Sequence, residues 1–205
     1  MDLKGIGVAM VTPFKDNGEI DFGAIRGIVE NIITGRADYL VVLGTTAEVT
    51  SLTDSEKKAL IQEVVSANQN KIPLVIGIGG NNTAKVIAEI QSTDLTPFQA
   101  ILSVSPYYNK PTQEGIFQHF KHVAEASPLP IIVYNVPSRT GSNVEPSTFI
   151  RLAEEVENII AIKDASGSVD QAQQMLKDCA PHIQVISGDD ALTLPMLLAG
   201  AVGTI

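Results

Sequence analysis

Short apolar runs rich in Val and Ile alternate along the chain with segments that carry apolar residues at helical spacing. A polar turn separates each run from the helical segment that follows it, which is the βαβ pattern of a parallel sheet. The runs are apolar at consecutive positions, so we expect strands that are covered on both faces. Eight strands are predicted, at residues 6–12, 39–45, 74–80, 100–107, 131–136, 159–164, 184–188 and 201–205.

The helical segments carry recognisable start signals. Thr53 and Glu56 have the spacing of a capping box, Thr112 opens another helical segment, and Pro146 suits a first helical turn. One helix has a single apolar face, formed by Ile25, Ile28, Val29, Ile32 and Ile33. Eight strand–helix units predict an α/β fold of the (β/α)8 TIM-barrel type. No G-x-G-x-x-G motif follows the first strand to favour an open doubly wound sheet.

No linker or low-complexity tract divides the sequence, so residues 1–205 are predicted to form one catalytic barrel domain. The last predicted strand ends at Ile205, and we expect no helix after it. The outer faces of strands eight and one should then be exposed, which favours association or instability of the isolated chain.

Composition narrows the range of functions. Hydrophobic residues make up 44% of the chain and charged residues 18%, which excludes a disordered protein. The 14 basic residues are scattered and the formal net charge is -9, so nucleic acid is not an expected partner. No apolar run reaches the roughly 18 residues of a membrane helix, and the start of the chain lacks a signal-peptide pattern. With the single cysteine Cys179, these features predict a cytoplasmic protein that binds no membrane.

The C-terminal ends of the predicted strands carry most of the candidate chemistry, because the active site of a (β/α)8 barrel lies at that face. We expect the residues at these ends to converge on one mouth. They are Thr12, Thr45, Thr46, Asn81, Tyr107, Tyr108, Tyr134, Asn135, Lys163, Asp164, Gly188 and Asp189.

Lys163 is the most informative of these residues because it interrupts a strand that should be buried on both faces. Burial disfavours the ammonium form and lowers the pKa of a lysine, which leaves more neutral amine to attack a carbonyl. The alternative is a lysine whose head reaches solvent or pairs with Asp164 or Asp189.

Two further strand ends suit the same chemistry. The phenol of Tyr134 could exchange a proton with an amine or a bound carbonyl, although a core tyrosine bonded to a backbone carbonyl is the alternative. The Gly44-Thr45-Thr46 turn offers hydroxyl and N–H groups that could hold a carboxylate, although such turns are also ordinary ends of strands.

Competing chemistries have weaker support. His119 and His122 lie on a predicted outer helix, where we expect surface residues and not metal ligands. Residues 77–80, Gly-Ile-Gly-Gly, lack the Lys-Ser/Thr of a phosphate loop and are interpreted as a packed segment within a strand. Cys179 has no base nearby in the sequence and is interpreted as part of a helix core. No metal or organic cofactor is expected.

Five segments in order resemble the dihydrodipicolinate synthase family, also called 4-hydroxy-tetrahydrodipicolinate synthase. They are GTTAE at 44–48, PYYNKP at 106–111, YNVPSRTG at 134–141, IKDASG at 162–167 and SGDD at 187–190. The resemblance runs the length of the chain and implies condensation of pyruvate with L-aspartate 4-semialdehyde, in diaminopimelate and lysine biosynthesis. Family members continue with C-terminal helices beyond the segment that matches here.

The resemblance also implies roles for individual residues. Lys163 matches the lysine that forms a Schiff base with pyruvate, and three residues match a proton relay: Tyr134, Thr45 and Tyr108. Four residues match contacts to substrate or the pocket wall: Thr46 to the pyruvate carboxylate, Arg139 to the semialdehyde carboxylate, and Gly188 and the Ile205 carbonyl around the lysine. The turn departs from the usual Gly-Thr-Thr-Gly-Glu at Ala47, and Val49 stands where Ser is common.

The resemblance implies a homo-oligomer, a homotetramer built as a dimer of dimers, in which Tyr108 reaches the neighbouring subunit's site. Residues matching the family's lysine-effector site include Asn81 and Tyr107, but three others differ from lysine-inhibited members: Lys85, Asp54 and Lys57. We therefore expect weak feedback by lysine. Two alternatives stay open: a related class I aldolase, such as N-acetylneuraminate lyase or a 2-keto-3-deoxy-sugar aldolase, and a non-catalytic barrel that binds small acids or acts as a scaffold.

Overall fold

The computed structural model describes all residues from Met1 to Ile205 and contains a closed barrel of eight parallel strands. Each strand pairs with its neighbours in sequence, and β8 pairs with β1 to close the ring. The strands are β1 (Gly5–Ala9), β2 (Tyr39–Val42), β3 (Leu74–Gly77), β4 (Ala100–Val104), β5 (Ile131–Asn135), β6 (Ile159–Asp164), β7 (Gln184–Ser187) and β8 (Gly203–Thr204). The predicted (β/α)8 barrel is confirmed.

Helices connect the strands and surround the barrel. They are α1 (Phe22–Thr34), α2 (Asp54–Asn68), α3 (Thr83–Ser92), α4 (Gln113–Ala126), α5 (Pro137–Thr140), α6 (Pro146–Glu155), α7 (Val169–Asp178) and α8 (Thr193–Ala199). The predicted start signals are confirmed: Thr53 and Glu56 form a reciprocal capping box on α2, Thr112 caps α4, and Pro146 opens α6. None of these helices combines the length and the apolar composition that a membrane span requires.

The apolar side chains divide into two layers because alternate residues of each strand face opposite sides of the sheet. A cluster of 39 buried residues fills the space between strands and helices, and a second cluster of 11 includes the side chains that fill the barrel interior. Leu3 belongs to the inner cluster, and its N–H donates to Gln184 Oε1 at the start of β7. The N-terminal segment therefore packs against the end of the barrel opposite the predicted site.

The predicted strands are all present, but several were extended too far at their C-terminal ends. The first four were predicted to reach residues 12, 45, 80 and 107, whereas β1 to β4 end at Ala9, Val42, Gly77 and Val104. Apolar residues continue past these ends because the rim is also buried, and Leu43 and Ile78 are examples. Hydrophobicity therefore marks burial at the rim and not strand pairing. The interpretation of residues 78–80 as strand is wrong.

The expected exposure is found on strand one but not on strand eight, whose residues are buried or half-buried; the other exposed apolar residues lie on the helix before β8. Ile6 on β1 is 56% exposed, and the exposed apolar residues of α8 are Leu194, Leu197 and Leu198. These side chains form apolar surface on the outside of the barrel.

The ring of Tyr39 packs closely against the backbone of Gly7. A Cβ on Gly7 would lie 2.2 Å from Tyr39 Cε2, and the Tyr39 ring is 1% exposed with an unpaired hydroxyl. We expect Gly7→Ala to lower the free energy of unfolding by about 1–3 kcal/mol through overpacking. Tyr39→Phe should leave it unchanged or raise it, because it removes a buried hydroxyl without a partner. Urea unfolding measures both changes.

The same experiment includes a double variant as a control. In a Tyr39→Leu background the ring is absent, so Gly7→Ala should cost less than it does in the wild type. Equal costs in both backgrounds would contradict a steric conflict between these two positions.

Candidate active site

Lys163 and Tyr134 lie side by side on the inner face of the barrel. The register of β5 and β6 places Tyr134 opposite Lys163, and the two residues are 7% and 6% exposed respectively. The Lys163 Nζ lies 4.3 Å from the centroid of the Tyr134 ring. A nucleophilic amine and a proton-carrying phenol are thus within reach of the same small substrate.

The Lys163 amine has no ion-pair partner, which excludes the alternative of pairing with Asp164 or Asp189. Burial lowers the pKa of Lys163 to about 8, the charge of Asp190 opposes this shift, and the charge of Arg139 reinforces it. The alternative of a solvent-exposed head is also wrong, because the whole residue is buried. The amine is therefore partly neutral near physiological pH.

Gly188 leaves room for the aliphatic stem of Lys163. A Cβ at Gly188 would lie 2.9 Å from Lys163 Cε and 3.1 Å from Lys163 Cγ. The backbone of Gly188 is held by a bond from its N–H to the Asp164 carbonyl. Its predicted place in the wall beside the lysine matches this packing.

The chain turns sharply where β2 enters the Gly44-Thr45-Thr46 turn. Leu43 is buried yet has φ 57°, a left-handed conformation that side-chain-bearing residues seldom adopt. Gly77 at the end of β3 leaves the space that this turn needs, because a Cβ at residue 77 would lie 2.2 Å from the Leu43 carbonyl oxygen. Packing thus maintains a strained backbone directly before the predicted carboxylate-binding turn.

Thr45 and Thr46 open a short 3₁₀ turn, Thr45–Ala47, and their N–H groups have no partner within it. Burial raises the pKa of Tyr134, whereas the nearby Thr45 side chain and the charge of Arg139 act to lower it. Ala47 is buried, and its carbonyl accepts a 2.7 Å bond from Thr12 Oγ1. The Cβ of Ala47 therefore packs inside the protein, away from the exposed side of the turn.

Three predicted residues surround the mouth. Arg139 lies on α5, exposed, and its charge acts on both Lys163 and Tyr134. Ile205 follows β8, and its N–H donates to the Ser187 carbonyl at 2.9 Å. Tyr108 differs from both: it is 86% exposed at φ 71° and projects from the loop after β4.

Some features of this face were missed by the sequence predictions. Asp190 had been quoted only as part of a motif, yet its charge acts on Lys163. Asn135 and Asp164 had been placed at the mouth, but they bond to each other at 2.9 Å on the outer side of the sheet. The alternation of side chains along a strand could have revealed this, since each directly follows an inward-facing residue.

The histidines and the cysteine that were considered for other chemistries lie away from the C-terminal face of the barrel. His119 was expected at the surface, which is wrong: it is 4% exposed on α4 and shares a 2.9 Å hydrogen bond with Thr83 Oγ1. His122 is exposed as expected. Cys179 follows α7, packs partly buried against the core, and has its pKa raised to about 11 by burial, so it is no thiolate nucleophile. No cluster of three or more potential metal ligands is present.

A cavity of about 370 Å³ lies beside the mouth of the barrel. It is lined by residues that match the family's lysine-effector site, including Asn81, Tyr107 and Lys85. Lys57 lines it as well, and its Nζ lies 3.8 Å from Asp54 and 3.9 Å from Glu89. These carboxylates offset the charge of Lys57, whereas Lys85 has no ion-pair partner. The expected weak feedback by lysine stays a prediction that now depends on Lys85.

Comparison with known proteins connects this site to a family. Residues 2–205 match the dihydrodipicolinate synthetase family. A 4-hydroxy-tetrahydrodipicolinate synthase from Flavobacterium psychrophilum is 55% identical over 201 residues, which are 98% of this chain and 69% of the relative. One from Parabacteroides distasonis is 48% identical over 205 residues, which are 100% of this chain and 69% of the relative.

Solved structures agree with the sequence comparison. The crystal structure of dihydrodipicolinate synthase from Bacillus anthracis superposes with a TM-score of 0.95 at 43% identity, covering 100% of this chain and 70% of that chain. The resemblance predicted from the five strand-end motifs is confirmed. The chain belongs to the dihydrodipicolinate synthetase family.

Proposed function

We propose that this chain is a 4-hydroxy-tetrahydrodipicolinate synthase, which condenses pyruvate with L-aspartate 4-semialdehyde through a Schiff base on Lys163. The observation that carries the proposal is a buried lysine of pKa about 8 beside a tyrosine, in a chain 55% identical to a protein of that name. Residues 1–205 form the catalytic domain in this proposal.

The first step is attack of the neutral Lys163 amine on the keto carbon of pyruvate. The keto oxygen leaves as water, and the imine that forms takes up a proton and becomes an electron sink. Tyr134 is the group placed to carry these protons, with the Thr45 side chain close enough to influence its pKa. The free N–H groups of Thr45 and Thr46 hold the pyruvate carboxylate.

The second step forms the carbon–carbon bond. Loss of a proton from the pyruvate methyl group gives an enamine, whose terminal carbon attacks the aldehyde carbon of the second substrate. The π bond of the aldehyde opens and its oxygen takes up a proton, and the amino group of the second substrate then displaces the Lys163 amine from the imine carbon and closes the ring. Arg139 at the mouth receives the carboxylate of this substrate, for which a guanidinium is suited by its paired N–H groups. Gly188 and the Ile205 carbonyl complete the wall around the lysine. No metal or organic cofactor enters these steps.

The two alternatives have less support. A class I sugar-acid aldolase would share Lys163 and Tyr134, but Thr45 and Arg139 match the synthase pattern. A non-catalytic barrel gives no reason for an unpaired amine to be buried beside a phenol. The predicted cytoplasmic location and the homotetramer remain proposals.

Reductive trapping tests the Schiff base directly. Incubation with pyruvate and borohydride should add one lactyl-type group, which peptide mapping places on Lys163. Lys163→Arg should abolish the label, because a guanidinium stays protonated and cannot attack a carbonyl. Tyr134→Phe should still be labelled, but slower by roughly 100-fold, since it removes a proton carrier and leaves the nucleophile. A label on another lysine of the folded chain contradicts the mechanism.

The rate of trapping should depend on pH through the Lys163 amine. Because the neutral form attacks, we expect the rate to rise by about tenfold per pH unit below the pKa and to level off above it. The midpoint should lie near the lowered pKa of about 8, well below the ordinary lysine value of 10.5.

A charge variant provides the matched test of this profile. Asp190 raises the pKa of Lys163, so Asp190→Asn should move the midpoint to lower pH. Asp178→Asn, at the C-terminal end of α7, should leave the midpoint in place, because Asp178 is not among the charges that act on Lys163. A midpoint at the ordinary lysine pKa in the wild type would show that burial does not activate the amine.

Tyr108 supports a proposal about assembly. Because its side chain is 86% exposed on a projecting loop, we propose that it completes the proton relay in the site of a second subunit. Inactive Tyr108→Phe and Lys163→Ala chains, once mixed, should regain part of the wild-type turnover through heterodimers that contain one intact site. Subunit exchange is verified with differently tagged chains. Exchange without recovered activity would count against a shared site.

A further inference from the structure

Five hydrogen-bonded polar residues form a cluster on the outer side of the sheet, behind the candidate active site: Asn135, Asn143, Asp164, Ser166 and Gln171. Asn135 and Asp164 are buried, and the other three are half-buried. The side chain of Asn135 connects Asp164 to Asn143. Its Nδ2 donates to Asp164 Oδ1 at 2.9 Å and to Asn143 Oδ1 at 2.8 Å, and its Oδ1 accepts from the Val144 N–H at 2.9 Å.

Asp164 is a buried carboxylate without a cation. It is 2% exposed and forms no salt bridge, yet three side chains donate to it: Asn135, Ser166 at 2.7 Å and Gln171 at 3.3 Å. Burial raises the pKa of Asp164, and these hydrogen bonds oppose the shift. A carboxylate held in this way is costly to bury, and a strand end could be covered by an apolar side chain at lower cost.

The cluster lies directly behind the two residues proposed to do the chemistry. Asn135 follows Tyr134 on β5, and Asp164 follows Lys163 on β6. The register places Asn135 opposite Asp164 and Tyr134 opposite Lys163. Because alternate side chains face opposite sides of a strand, one pair meets outside the barrel and the other meets inside.

The cluster also holds the segment that follows Arg139. Asn143 lies three residues beyond the end of α5, and its Nδ2 donates to Gln171 Oε1 at 2.8 Å. Gln171 is in the first turn of α7 and also donates to the Val144 carbonyl. The cluster therefore connects the ends of β5 and β6, the segment after α5 and the start of α7.

We propose that Asn135 and Asp164 are positioning residues that set the distance between the Lys163 amine and the Tyr134 phenol. The proposal rests on the proposed function, because it concerns the geometry of the same Schiff-base step. Neither side chain touches the inner cavity. Their effect passes through the backbone of the adjacent residue on each strand.

Exchange of the two side chains tests the pair. Asn135→Asp places two carboxylates against each other and removes the bond, and we expect the maximal rate of pyruvate trapping to fall by roughly 10- to 100-fold. The pyruvate concentration at half-maximal rate should stay within about twofold, because the turn at Thr45 and Thr46 is not altered. The double variant Asn135→Asp with Asp164→Asn restores a donor facing an acceptor and should return the rate to within about threefold of wild type.

Asn158 provides a matched control at the other end of the barrel. Its Nδ2 donates to three carbonyls, those of Ala124, Ser127 and Leu129, each at 3.0 Å. Asn158→Asp should lower the unfolding midpoint as Asn135→Asp does, but leave the trapping rate unchanged. A purely structural role for Asn135 predicts equal effects of the two substitutions on trapping.

The outcomes separate the two proposals. If the wild type does not trap pyruvate on Lys163, the proposed function and the positioning role both fail. If the wild type traps pyruvate and folded Asn135→Asp does so at the same rate, or if the double variant is not rescued, only the positioning role fails. Should Asn135→Asp not fold, Asn135→Ser takes its place, because it removes the amide without adding a charge: slower trapping by this variant supports the positioning role, and trapping at the wild-type rate overturns it.

Discussion

The rest of the site depends on one constraint: the Lys163 amine is buried inside a closed barrel without a counter-ion. Lowering the pKa of Lys163 from 10.5 to about 8 corresponds to a preference for the neutral form on the order of 3 kcal/mol. The folded-state pKa lies below the unfolded one, so this cost to stability is present in full below pH 8. It disappears as the pH rises through 8 towards 10.5. The apolar layers on both sides of the sheet offset this cost.

The groups around Lys163 shift the pKa of its amine without forming an ion pair with it. A carboxylate in contact would restore the ammonium, but Asp164 faces the other side of the sheet and Asp190 acts only through its charge. The Tyr134 ring contacts the amine through its π face, and the hydroxyl remains available to Thr45. Such an arrangement suits a group that must lose its proton before reacting and regain one afterwards.

Sequence alone predicted the parts of the fold that follow from hydrophobic periodicity. The eight strands were found because runs such as Ile159–Asp164 are buried on both faces, and the cap at Thr53 was found because it follows a local rule. The ends of the first four strands were predicted too late in the sequence, since burial continues at residues such as Leu43 after strand pairing has stopped. His119 was misplaced because a polar residue on a helix was assumed to face water, whereas it bonds to Thr83 across a helix interface.

The residues of the site likewise divide into those that the sequence predicted and those that it misplaced. Lys163 was identifiable because a charged residue in a buried strand requires a reason, whereas Asp164 was assigned to the mouth because it lies at the strand end, without regard to the face it takes. Strand alternation resolves the difference. In the proposed arrangement the backbone beside the inward residues Tyr134 and Lys163 is held from the other side of the sheet, by the hydrogen bond between the next residues, Asn135 and Asp164. The polar pair at the end of β6 thus divides into Lys163, which faces the barrel interior, and Asp164, which faces the other side of the sheet.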